Sequence, residues 1–159
     1  GQHVLAFARH WPGLIWTPSD PDPIHRSSIN AWRAHENAAT RPVIAIDAAN
    51  DWAADPAIAA ITSLRLILSL NVIHIAPFSV AEGIINGAGK TLAQGGFLVF
   101  YGPFSENGAH TGDGNAAFDF AYALVKFSCD VFLAVNYNSN LTIIKKPLNE
   151  VAIWSALSR

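Results

Sequence analysis

Two apolar runs set the terms for this chain: Leu66-Ile67-Leu68-Ser69-Leu70-Asn71-Val72-Ile73-His74-Ile75 and Phe97-Leu98-Val99-Phe100-Tyr101. A strand with one wet face alternates apolar and polar residues, whereas these runs are apolar on both faces. Such strands need cover on both sides, the arrangement found in parallel sheets of α/β proteins. The flanking sequence supplies the cover. His3 to Trp11 places Val4, Phe7, Ala8 and Trp11 on one side of a short helix, ended by Pro12-Gly13. Leu14 to Thr17 and Arg41 to Ile46 read as further strands. Asp22-Pro23 opens a helix that runs to Ala38, because Asp accepts from free backbone N–H groups and Pro tolerates the first helical position.

Residues 51–63 read as a loop with a short helix. Ser79 and Glu82 have the spacing of a capping box, predicting a helix with Ile84, Ile85, Ala88 and Leu92 inward that stops at Gly95-Gly96. Asn115 to Val125 is helical in pattern. Asp130 to Val135 and Leu141 to Lys146 read as strands joined by residues 136–140. The expected architecture is one α/β domain over residues 1–159, doubly wound, with a mostly parallel sheet and an antiparallel terminal hairpin.

Composition removes several function classes. With 159 residues, 51% hydrophobic and 14% charged, the chain has apolar content for a sizeable core and not the profile of a disordered segment. A net charge of −2 without a Lys/Arg block disfavours binding to a phosphate backbone, so no nucleic acid partner is expected. One cysteine, Cys129, excludes an internal disulfide and suits a reducing, cytoplasmic setting. No apolar run reaches the roughly 20 residues that span a bilayer, so no membrane partner is expected. The chain contains no Met and opens on Gly1-Gln2-His3, so it reads as part of a longer product.

Open α/β sheets bind ligands at the carboxyl ends of their strands, which here carry Asp20 and Asp22, Asp47, Asn71 and His74, and Tyr101. An acid about 20 residues past a glycine loop can accept from both ribose hydroxyls. Asp20 and Asp22 both stand near that distance from Gly1, although Asp22 also fits plain N-cap duty. Asp47 could accept from an adenine amino group, or could simply start a loop. A lone His in a buried strand, as His74 is read, is more often structural than catalytic. Asn71 is the better site candidate, because a polar side chain among apolar neighbours needs a partner. Residues 101–115 form a long Gly-rich segment carrying Tyr101, His110 and Asp113. Long loops in compact domains are commonly lids or binding loops, and His110 is suited to general base work near neutral pH.

Three further patterns carry little. Gly87-Ala88-Gly89-Lys90-Thr91 resembles the end of a phosphate-binding loop, but its first glycine is out of register and it ends a helix instead of opening one. Asp20-Pro21-Asp22 has the paired-acid spacing of metal-dependent sugar transferases, a three-residue pattern of low specificity. The six histidines show no helical zinc spacing, so no metal is expected.

Gly1-Gln2-His3, Phe7-Ala8 and Trp16-Thr17-Pro18-Ser19-Asp20-Pro21-Asp22 resemble the family of methyltransferase-like protein 26, predicted S-adenosylmethionine-dependent methyltransferases of unknown substrate. Asn71-Val72-Ile73-His74-Ile75-Ala76-Pro77, Tyr101-Gly102-Pro103-Phe104, Asn107-Gly108, His110-Thr111 and Asn115-Ala116-Ala117-Phe118-Asp119 match in the same order, so the resemblance covers most of residues 1–146. It implies a class I methyltransferase fold, a Rossmann-like sheet with a reversed last strand. It further implies Gly1 as the last glycine of the cofactor loop, Asp20 as the ribose acid, Asp47 with Ala48 at the adenine, and Asn71 beside the methionine part of S-adenosyl-L-methionine. The resemblance supplies neither a substrate nor a catalytic base. From their positions, Asn71, Tyr101 and His110 are expected to border a small-molecule or protein methyl acceptor, with His110, on its long loop, in the role of base. The family's first strand and most of its glycine loop would lie upstream of Gly1, leaving the cofactor site open and binding weak in the chain as it stands. Its longer helical stretch exceeds what residues 124–130 can hold: this member is shortened there, or residues are missing. The alternatives are a nicotinamide-dependent oxidoreductase built on the same ribose acid, and a non-catalytic Rossmann-like binding protein.

Overall fold

The computed structural model describes residues 1–102, 105–106, 109–110, 131–137 and 140–146. The helix expected over 115–125 and the short stretch 124–130 lie outside the described residues. The chain divides into two compact units, Gly1–Trp52 and Ala53–Arg159.

In the first unit, α1 (Gln2–His10) buries Leu5 and Ala8, three residues apart and therefore on one face. The expected apolar face was rotated: Val4 and Phe7 are only half-buried, and Leu5 takes the inner position. Trp11 caps the helix, and its N–H donates to the Phe7 carbonyl. Phe7 stacks on Trp16 at a centroid distance of 5.2 Å, with Trp11 6.3 Å from Trp16, so an aromatic cluster ties the end of α1 to the segment that follows. The helix α2 (Pro23–His35) starts as its sequence dictates, with Asp22 at the N-cap accepting from the Ile24 N–H and Pro23 in the first turn. It ends at His35, short of Ala38, where Asn37 turns into the left-handed region at φ 46°. Arg33 Nε donates to the Thr40 carbonyl at 2.7 Å and anchors the returning chain.

Leu14 to Thr17 and Arg41 to Ile46 do not form ladder strands. They run parallel to one another through two bridges, Trp16 to Thr40 and Ser19 to Ile44. Pro18, Pro21 and Pro42 break up the supply of backbone donors that a continuous ladder requires. Replacing Asp22 by Ala removes the acceptor of an otherwise unpaired helix N–H. We expect a loss of about 1 kcal/mol, read as a lowered urea midpoint for unfolding of this unit.

The second unit opens with a 3-10 turn over Trp52–Ala54, which spans the division, and a short helix α3 (Pro56–Ala59) with Asp55 at its N-cap. Strand β1 (Leu64–Leu70) is followed by α4 (Phe78–Thr91) and β2 (Leu92–Tyr101), and β1 and β2 pair in parallel. β1 stops at Leu70 and not at Ile75, because Asn71 adopts φ 53° and turns the chain out of the ladder. α4 has Pro77 at its N-cap with no side-chain cap, so the capping box expected at Ser79 and Glu82 does not form. Its inner stripe is Ala81, Ile84, Gly87 and Ala88. Ile85, adjacent to Ile84, cannot share its face and is exposed.

The helix ends at Thr91, whose hydroxyl donates to the Gly87 carbonyl at 2.8 Å. Gly95 and Gly96, expected to stop the helix, instead lie inside β2 at a break in register: Leu64 faces Leu92, yet Leu66 faces Phe97. Gly95 takes φ 74°, and a Cβ on Gly96 would stand 2.9 Å from the Ala93 carbonyl oxygen. Both glycines are therefore demanded by a bulge. Beyond it Leu98, Val99 and Phe100 are all buried, so both faces of β2 are covered, as its apolar run requires.

β5 (Val131–Tyr137) pairs antiparallel with β2, and β6 (Asn140–Lys146) pairs antiparallel with β5, giving the order β1-β2-β5-β6. The terminal hairpin is present, with its last pair Tyr137 to Asn140. Among the described residues, β1 and β2 pair in parallel and β5 runs against β2, with β6 against β5, so the α/β character is present and the described part of the sheet is mixed. A two-stranded ribbon, β3 (Ser105–Glu106) with β4 (Ala109–His110), occupies part of the segment read as a structureless loop.

Candidate functional site

Each unit carries its own share of the residues singled out in the sequence. Gly1, Asp20, Asp47 and Ala48 belong to the first, and Asn71, Tyr101 and His110 to the second.

The two parallel segments of the first unit end side by side, because the Asp20 N–H donates to the Ile44 carbonyl at 3.1 Å and the Ile44 N–H to the Pro18 carbonyl at 3.0 Å. Asp20 and, three residues past Ile44, Asp47 therefore follow the same end of this pair. Asp20 is half-buried. Its Oδ1 accepts from the Asp22 N–H at 2.9 Å and lies 3.3 Å from His25 Nδ1. Its Oδ2 has no hydrogen bond to the described residues, so a carboxylate oxygen is held at the strand end with lone pairs to offer. Arg26 donates to the carbonyls of Asp20 and Pro21, fixing the backbone beneath it. Asp22 has a different task, the cap of α2. The cap duty read for Asp22 in the sequence is the one it performs, which leaves Asp20 as the acid of the pair with an oxygen to offer.

Asp47 is exposed and more committed. Its Oδ1 accepts from the Ala49 N–H and its Oδ2 from Asn50 Nδ2, each at 3.0 Å. It starts a turn, and any ligand contact must use a second lone pair on one of these oxygens. Ala48, next along, is half-buried. A Cβ on Gly1 would lie 3.2 Å from Trp32 Cβ and 3.4 Å from Ile29 Cα, so the start of α1 approaches α2 closely only because position 1 lacks a side chain.

In the second unit, the carboxyl ends of β1 and β2 meet at Asn71, whose N–H donates to the Tyr101 carbonyl at 2.7 Å. Tyr101 is the last residue of β2, and its ring is exposed. The chain turns at once after Asn71, the Ile75 and Ala76 N–H groups both donating to the Val72 carbonyl, and this swings His74 back toward the strand ends. A Cβ on Gly102 would fall 3.2 Å from His74 Nδ1 and 3.7 Å from Asn71 Oδ1. Asn71, His74, Tyr101 and Gly102 thus converge on one place.

His74, read from sequence as a strand residue, lies in the turn after β1, and Gly102 figured only within the Tyr101–Phe104 motif, with no role given to it. The signal for both was available in principle: Asn is the residue most ready to enter the left-handed region, and a glycine next to a strand end marks a close approach. His110 ends β4 and pairs with Ser105 across the ribbon. Among the described residues no helix is long and apolar enough to cross a membrane. Residues 1–124 match the model of a family described as a protein of unknown function, DUF938.

Proposed function

We infer that this chain, which belongs to the DUF938 family, takes part in methyl transfer from S-adenosylmethionine to a small-molecule or protein acceptor. The observation that carries this reading is Asp20: a half-buried acid at the end of a parallel pair, one oxygen fixed by the Asp22 N–H and the other without a hydrogen bond to the described residues. A ribose presents two adjacent hydroxyl donors, and a carboxylate held in this way can accept from them. The residues present fit such a group at further points. Asp47 with Ala48 follows the same end as Asp20, and the resemblance places Gly1 at the end of the cofactor loop.

When bound, S-adenosylmethionine supplies an electrophilic methyl group, so the protein's task is chiefly orientation. On this reading Asp20 would hold the ribose and Asp47 would accept from the adenine amino group. Asn71 would stand beside the methionine part, and Tyr101 and His110 would border the acceptor, with His110 as the base that takes its proton. Calorimetry on the full-length protein tests this with S-adenosylmethionine and, separately, NAD. Binding of S-adenosylmethionine alone is the expected result. Binding of NAD alone would replace methyl transfer by hydride transfer, and binding of neither would overturn both and favour a non-catalytic binding protein.

A further inference from the structure

The carboxyl end of the β1–β2 pair has a chemical character that the cofactor residues do not explain. From Leu66 through Ala81 the sequence contains no Lys, Arg, Asp or Glu, so the turn after β1 and the first turn of α4 carry no charge other than what the His74 imidazole can take up. Large apolar side chains nevertheless stand in water there: Ile75 is 63% exposed and Phe78 66%, with Val72 and, at the end of β2, Tyr101 also exposed. Single exposed apolar residues need no explanation, but several within one turn and the adjoining strand end do. Next to them two polar atoms, His74 Nδ1 and Asn71 Oδ1, face the bare Cα of Gly102. An apolar rim around a few convergent polar atoms is the make-up of a small-molecule site.

We propose that this end of the sheet receives a neutral, largely apolar small molecule bearing a hydroxyl group, which His74 hydrogen-bonds, and that Gly102 is the space in which the imidazole is seated. As the acceptor class for methyl transfer this rests on the reading above; as a binding site it stands by itself. An acidic or nucleic acid acceptor would be drawn in by basic groups, and residues 66–81 have no Lys or Arg. A second copy of this chain would need roughly 800 Å² of surface per partner, more than four side chains that are 38% to 66% exposed can offer when even a large aromatic one has at most about 250 Å². A small occupant matches the scale of the feature.

Phenol serves as the neutral probe and benzoate as its charged counterpart. Both are titrated into isotope-labelled full-length protein, following the His74 imidazole and the Asn71 and Tyr101 amides by NMR, with calorimetry for S-adenosylmethionine on the same sample. Phenol is expected to move these signals together and to bind more tightly than benzoate. His74→Gln and Gly102→Ala, the second of which displaces the ring by its added Cβ, are each expected to weaken phenol about five- to tenfold, the scale of one hydrogen bond. Phenol that leaves His74 unmoved, or benzoate that binds as tightly, overturns the proposal. If S-adenosylmethionine binds and phenol does not reach His74, the acceptor class falls and methyl transfer stands. If phenol reaches His74 and S-adenosylmethionine does not bind, methyl transfer falls and the site stands.

Discussion

Leu98→Ala is expected to destabilise the second unit by about 2–5 kcal/mol, the range for deleting a fully buried leucine. Leu98 is 0% exposed and sits in the middle of β2, its backbone between Ile67 of β1 and Ala134 of β5. Its neighbours Val99 and Phe100 are buried as well, so the strand cannot turn a face to water to relieve the cavity. Partial collapse of the surroundings sets where in the range the loss falls. Ile85→Ala is the matched control: it removes a similar side chain from an exposed position on α4, and a change within about 0.5 kcal/mol is expected there. Urea unfolding followed by far-ultraviolet circular dichroism measures both. A loss at Leu98 no larger than at Ile85 would mean that β2 is not the core of this unit.

Asp20→Asn is expected to weaken S-adenosylmethionine binding about 10- to 100-fold while leaving the urea midpoint nearly unchanged. The substitution is chosen to separate two duties of one side chain. The amide oxygen of Asn can still accept from the Asp22 N–H, as Asp20 Oδ1 does at 2.9 Å, so the start of α2 survives. The second oxygen, however, becomes a donor and faces a donor on the ribose. Losing a hydrogen bond to a charged group costs about 1.5–3 kcal/mol, and each 1.4 kcal/mol is a factor of about ten in affinity. Asp47→Asn is expected to do less, since both Asp47 oxygens are already engaged in its own turn. Calorimetry on the two variants checks the order. Equal affinity of Asp20→Asn and the unaltered protein would remove Asp20 from the ribose.

What was legible in the sequence was what short-range chemistry decides. Asp22-Pro23 announced α2 because a cap and a first-turn proline act within three residues, and the hairpin of β5 and β6 followed from two apolar runs with a short polar gap. Ends decided by tertiary structure were not legible. The run from Leu66 to Ile75 is apolar throughout, and nothing in its hydrophobicity marks the point where β2 ceases to offer partners. Ser79 and Glu82 have capping-box spacing, yet Pro77 enters the helix first and leaves them inside its first turns. Gly95-Gly96 carries the same letters whether it stops a helix or bends a strand, and only the register against β1 tells which. At the site, Asp20 stood out by spacing, whereas His74 and Gly102 owe their meeting to the turn at Asn71, a contact between residues 28 apart that no local pattern encodes.

The aromatic cluster of Phe7, Trp11 and Trp16 has an optical consequence. Trp11, Trp16, Trp32 and Trp52 all fall within the first unit, which leaves Trp154 as the one indole of the second. Intrinsic fluorescence will therefore report mainly on residues 1–52, while circular dichroism reports on both units. Melting curves recorded by the two methods on one sample compare the units without a single labelled residue: coincident midpoints signify one cooperative molecule, and separate midpoints signify two.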